Sequence, residues 1–102
     1  DQLRIEQIKR QVERSPNDLQ LRFDCGKVLY DCREWEQALS QFQHAMHHRQ
    51  RRIRSLIYRS NILEKLERHT EAEQELEIAL AELPEQTREK QEVIQQLERL
   101  RL

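Results

Sequence analysis

Three histidines, His44, His47 and His48, stand at i, i+3 and i+4, a spacing that puts their imidazoles on one helix face where they could chelate a transition metal. Five arginines accompany them, Arg49, Arg51, Arg52, Arg54 and Arg59, and no acid occurs between His44 and Arg59. That much positive charge opposes cation binding, so no metal is expected and the histidines read as a solvated polar patch. Arg49, Arg51, Arg52 and Arg54 form a basic patch suited to phosphates or to an acidic partner. Only Tyr58 is interleaved with them as a stacking aromatic and the net charge is −1, so nucleic acid ranks below a protein partner. The plain alternative is solvated charge that complements a helix C-terminus.

Other chemistry has little to work with. Cys25 and Cys32 are seven residues apart, about 10 Å along a helix at ~1.5 Å per residue and beyond the reach of a disulfide. They read as reduced thiols in a buried seam, as in a cytoplasmic protein. The single glycine excludes a glycine-rich phosphate loop, and no histidine stands at a spacing that pairs it with either cysteine. The glutamates fall on predicted solvent faces. No catalytic residue and no cofactor is therefore expected, and the chain is not read as an enzyme. No run approaches the ~18 apolar residues of a membrane span. The first residue is Asp, which suggests a piece of a longer protein.

The elements that carry these groups are helical. Of 102 residues 36% are apolar and 36% charged, with one glycine and two prolines, which describes one all-α domain with a thin core. Leu3, Ile5, Ile8 and Val12 mark a first helix that must stop before Ser15-Pro16. Asn17 or Asp18 can cap the next, with Gln20 closing a box on Asn17, and Leu21, Cys25, Val28, Leu29 and Cys32 make its core stripe. Trp35 opens a third helix and is expected to be the largest anchor of the core. Between Gln41 and Arg59 no Gly or Pro signals a break, so one long helix through this stretch is the main structural rival. Beyond it come the stripe Leu56, Ile62, Leu63 and Leu66, a capping box at Thr70 and Glu73, and the run Ala72, Leu76, Ala79, Leu80 and Leu83 ended by Pro84. A final amphipathic helix over 87–101 turns Val93, Ile94, Leu97 and Leu100 inward.

A period joins these elements. Gly26, Leu29, Trp35, Ala38, Phe42 and Ala45 return 34 residues later as Ser60, Leu63, His69, Ala72, Leu76 and Ala79, and Pro16, Gln50 and Pro84 follow the same interval. The small residues at Gly26, Ala38 and Ala45 imply two helices crossing closely, since a helical glycine costs about 1 kcal/mol against alanine. The period places the missing break near His48 to Gln50. A 34-residue unit of two helices meeting over small side chains and ending near a proline resembles the tetratricopeptide repeat. The resemblance implies an α-α superhelix, a solenoid of about six antiparallel helices: a half repeat over 1–16, repeats over 19–52 and 53–86, and a capping helix over 87–102. The family's usual turn glycine is replaced by Arg33 and Glu67, which leaves the helix crossing angle open.

The resemblance also implies a concave groove lined by first helices. Carried over residue by residue, its lining is Gln20, Phe23, Lys27 and Tyr30, then Arg54, Ile57, Asn61 and Glu64, then Arg88, Gln91, Gln95 and Glu98. The clamp that holds chaperone tails is not matched, because Phe23, Lys27 and Tyr58 occupy its places. The expected function is a non-catalytic protein-interaction module in which Phe23, Tyr30 and Ile57 grip a peptide while Lys27 and Arg54 attract its acidic residues; cover of the apolar side chains by the helix at residues 3–12 is the equal alternative. One alternative is head-to-tail self-assembly, because eleven glutamates against six basic residues follow from Ser60 onward, opposite in sign to the basic middle. A nucleic-acid-binding helical repeat using the Arg49–Arg59 strip is the other.

Overall fold

The computed structural model describes residues 1–102 as six helices and no strand. They are α1 (Gln2–Arg14), α2 (Leu19–Asp31), α3 (Trp35–Ala45), α4 (Arg52–Lys65), α5 (His69–Glu82) and α6 (Arg88–Leu100). Each packs mainly on the next in chain order, most intimately within the hairpins α2–α3 and α4–α5. The radius of gyration is 13.9 Å, close to the ~13 Å of a compact chain of this length. No helix is long and apolar enough to cross a membrane.

The two hairpin turns are built alike. The Glu34 N–H donates to Leu29 O at 2.9 Å and the Arg33 N–H to Tyr30 O at 3.0 Å; Arg68 and Glu67 repeat this on Leu63 O (2.8 Å) and Glu64 O (3.0 Å). This six-to-one, five-to-two pattern is a Schellman motif, which needs a left-handed residue at its centre. Arg33 and Glu67 supply it with φ of 59° and 61°. The left-handed turn thus forms without a glycine, at about 1 kcal/mol of backbone strain apiece.

The rival long helix does not form. α3 stops at Ala45 and α4 starts at Arg52, and side chains stabilise the break where no Gly or Pro does. His48 Nδ1 accepts the Gln50 N–H at 3.1 Å, drawing that backbone out of a helical ladder, and Arg52 donates to the otherwise orphaned Met46 carbonyl at 3.3 Å.

Neither expected capping box forms, although one of the two candidate caps of α2 does. Asp18, not Asn17, caps α2 by accepting the Leu21 N–H at 3.0 Å, while Gln20 turns to Asp24. No capping box forms at Thr70. The Schellman turn restarts the chain at once, so α5 begins at His69 and Thr70 already lies inside its first turn. Thr87 does cap α6, accepting from the Lys90 N–H at 3.2 Å.

The core lies between the hairpins and divides in two. The larger part joins Ile5, Val12, Phe23, Cys25, Leu29, Leu39, Phe42, Ile62 and Leu63; the smaller joins Leu56, Ile57, Leu76, Leu83, Val93 and Leu97. Phe42 is wholly enclosed, whereas Trp35 is only partly buried. Trp35 starts α3 beside the turn, too near the edge to be covered, so the deepest aromatic anchor is Phe42. A Cβ on Gly26 would sit 2.8 Å from the Phe42 ring. The glycine therefore admits an aromatic ring rather than a neighbouring backbone. Cys25 and Cys32 are both free, and burial raises the Cys25 thiol pKa.

Candidate binding surface

Side chains link α2 to α4, and α4 to α6, at a constant offset along the chain. Arg54 donates to Glu89 at 3.2 Å, Gln96 donates to Asn61 at 2.8 Å, and Arg99 donates to Glu64, each pair 35 residues apart. Phe23 and Tyr58 obey the same offset, ring to ring at 5.9 Å. One residue beyond the repeat period is about 100° of helix rotation, enough to turn a side chain from the open face toward the neighbouring helix.

Between α2 and α4 the link is aromatic. Tyr58 stacks on Phe42 at 4.7 Å and meets Phe23 and Tyr30 edge-on, and Tyr30 meets Trp35 at 5.4 Å. Such pairs add about 0.5–1.5 kcal/mol each beyond burial. Burial raises the Tyr58 phenol pKa; Arg54 opposes that shift, while Asp31 and Tyr30 reinforce it. The sequence alone did not single out Tyr58 as a core residue. Its counterparts by the period are Asp24 and Glu92, so the repeat hides it, and only its offset from Phe23 could have revealed it.

Between α4 and α6 the link is polar. The hydrogen bond from Arg99 holds the Glu64 carboxyl below the usual glutamate range. Two open clefts flank Asn61 and Arg99. One of about 570 Å³ is lined by Tyr30, Glu64, Lys65 and His69, and one of about 500 Å³ by Arg54, Ile57, Glu92 and Gln96.

The expected lining residues divide accordingly. Tyr30, Arg54, Asn61 and Glu64 border the clefts, and Lys27 is exposed over the Phe23 ring at 5.6 Å. Gln20 is engaged, giving its amide to Asp24 and accepting from Arg51 at 2.8 Å. Phe23 and Ile57 differ from expectation: they are 5% and 7% exposed and belong to the core. Tyr58 and Phe42 cover Phe23, and Ile57 packs in one cluster with Val93 and Leu97 of α6, so neither is free to grip a peptide. Gln95 lines the second cleft as expected, whereas Arg88 and Gln91 are exposed and line neither; Glu89, Glu92, Gln96 and Arg99 also stand on the α4 side of α6.

Half of the basic patch, Arg52 and Arg54, is neutralised within the chain, as is the nearby Arg59. Arg52 forms a two-pronged pair with Glu82 at 2.6 and 2.8 Å, Arg54 meets Glu89, and Arg59 meets Glu75 at 2.7 Å while donating to Leu39 O. The opposite charges of the middle and the C-terminal half thus face each other inside one molecule. Arg51 lies over Phe23 at 5.5 Å, and Arg49 is exposed. No group of three His, Cys, Asp or Glu side chains is placed to hold a metal, and His48 is occupied by the Gln50 N–H.

Comparison with protein-family models and with curated proteins finds no match to this chain.

Proposed function

We propose that the chain is a tetratricopeptide-like helical repeat acting as a non-catalytic protein-interaction module, with α2, α4 and α6 presenting a face for an extended segment of a partner. The observation that carries this reading is the recurrence, at the 34-residue interval, of one hairpin with the same left-handed turn at Arg33 and Glu67 and the same small residues at its crossing. Stacked hairpins of this kind expose first helices side by side and leave hydrogen-bonding groups between them. Here those groups are Tyr30, Asn61, Glu64 and Arg99, so recognition rests on polar contacts to the partner's backbone and side chains rather than on an apolar grip.

Head-to-tail stacking is the weaker reading. α6 of one copy and α1 of the next would have to form a hairpin, but the positions matching Ala38, Ala45 and Gly26 are Arg4, Gln11 and Ile94. Side chains of that size obstruct the close crossing that the internal hairpins use.

Peptides selected on the intact chain from a random library test the proposal. Asn61→Arg, which fills both clefts, should weaken every selected peptide by at least ~10-fold, the loss of one or two good polar contacts, with helicity and Tm retained. Unchanged affinity in that variant overturns the assignment of the face.

A further inference from the structure

One edge of the molecule collects arginines that form no ion pair within the chain. The α1–α2 and α3–α4 connections lie together at this edge, tied by Arg51 on Gln20 at 2.8 Å and Arg22 on Gln41 at 3.3 Å. Arg22 and Arg51 thereby meet at this edge, where Arg14 closes α1, Arg49 lies in the α3–α4 connection, and His44 and His47 stand at the end of α3. Arg22 and Arg51 spend their hydrogen bonds on neutral acceptors, the Pro16 carbonyl and the amides of Gln41 and Gln20, while Arg14 and Arg49 are exposed. Of the acids at hand, Asp18 caps α2 and Asp24 accepts from Gln20; Glu13 is exposed on α1. Partial burial lowers the His44 pKa, and Arg22 and His47 lower it further, as expected in a positive local field.

We propose that this edge is an electrostatic docking surface for a glutamate- or aspartate-rich stretch of a partner polypeptide, separate from the α2–α4–α6 face. Guanidinium ions that no internal carboxylate holds can take carboxylates from a partner. The surroundings select against the other polyanions. Phe23 and Phe42 are buried, so the edge offers nucleic-acid bases no aromatic ring to stack on. The exposed large apolar side chains Leu3, Ile78 and Leu102 lie off this edge, so a bilayer gains no inserted anchor there.

Fluorescence anisotropy with a labelled oligoglutamate peptide, and with single-stranded RNA of equal charge, tests the proposal on the full chain. Arg14→Glu with Arg49→Glu should weaken peptide binding by about tenfold. Arg4→Glu with Arg33→Glu, the same change in net charge placed elsewhere, should cost less than about twofold. Circular dichroism verifies that both variants are folded. Equal losses in the two pairs, tighter binding of RNA than of peptide at the same salt, or no peptide binding at low salt each overturn the proposal.

Discussion

The hairpins α2–α3 and α4–α5 occupy the same place in the repeat and solve its crossing with different chemistry. In the first, Gly26 leaves room for the Phe42 ring, which a Cβ would approach to 2.8 Å. In the second, the equivalents are Ser60 and Leu76, and the smaller aliphatic chain leaves space for a hydroxyl, which donates to Ile57 O at 2.7 Å. What is held constant is the summed volume at the crossing, not the residue at either position, as close packing requires. The environment divides along the same line. The first hairpin is tied to α4 through aromatic rings centred on Tyr58, the second to α6 through hydrogen bonds and ion pairs.

Exchanging parts between the hairpins tests this contrast. Phe42→Ala should cost the most, about 3–5 kcal/mol, because it empties the only fully enclosed aromatic site; urea denaturation measures it. Gly26→Ser should cost about 2 kcal/mol by forcing the ring aside. Adding Phe42→Leu recreates the second hairpin's pair and should recover about half of that loss, so a double-mutant cycle with no coupling would contradict the shared-volume account.

Smaller effects sharpen the comparison. Ser55 Oγ is enclosed without a hydrogen-bond partner, at the position that Leu21 holds in the first hairpin. Ser55→Ala should therefore raise stability by about 1 kcal/mol, seen as a higher Tm, since it removes a desolvated polar group. Arg33→Gly and Glu67→Gly should each gain a few tenths of a kcal/mol, left-handed strain relieved minus the entropy of glycine. The gains should match, because the turns do.

Acid should act mainly on the second hairpin and α6. The Glu64 and Glu82 carboxyls lie below their ordinary value of 4.5, each chiefly through the hydrogen bond from its arginine, Arg99 or Arg52. The unfolded chain then binds more protons, so this stabilisation is complete above the ordinary value and is lost as pH falls through the lowered ones. Thermal melts between neutral and acid pH should show a slope that Glu64→Gln and Glu82→Gln together reduce.

Much of this was legible in the residues. Helix spans followed from apolar spacing and the break near His48 to Gln50 from the period alone, whereas the shape of the turns at Arg33 and Glu67 stayed open until the structure gave them positive φ. The candidate surface was read less well. The groove positions that the resemblance implied placed Phe23 and Ile57 on an open face, where neighbouring helices in fact cover them. They also passed over Glu89, Gln96 and Arg99, which stand one residue further on. The basic strip looked continuous in the sequence, yet Arg52, Arg54 and Arg59 are each claimed by a glutamate distant in the chain.

By itself the sequence determined the helices, their ends and the recurring close crossing, because periodicity, turn chemistry and side-chain size act within a few residues or recur at one interval. Only the tertiary structure decided which aromatic ring joins the hairpins, which arginines stay free of carboxylates, and which face of α6 meets α4. Those outcomes depend on how far each helix is rotated about its own axis against its neighbour, and a repeat length in residues does not specify that rotation.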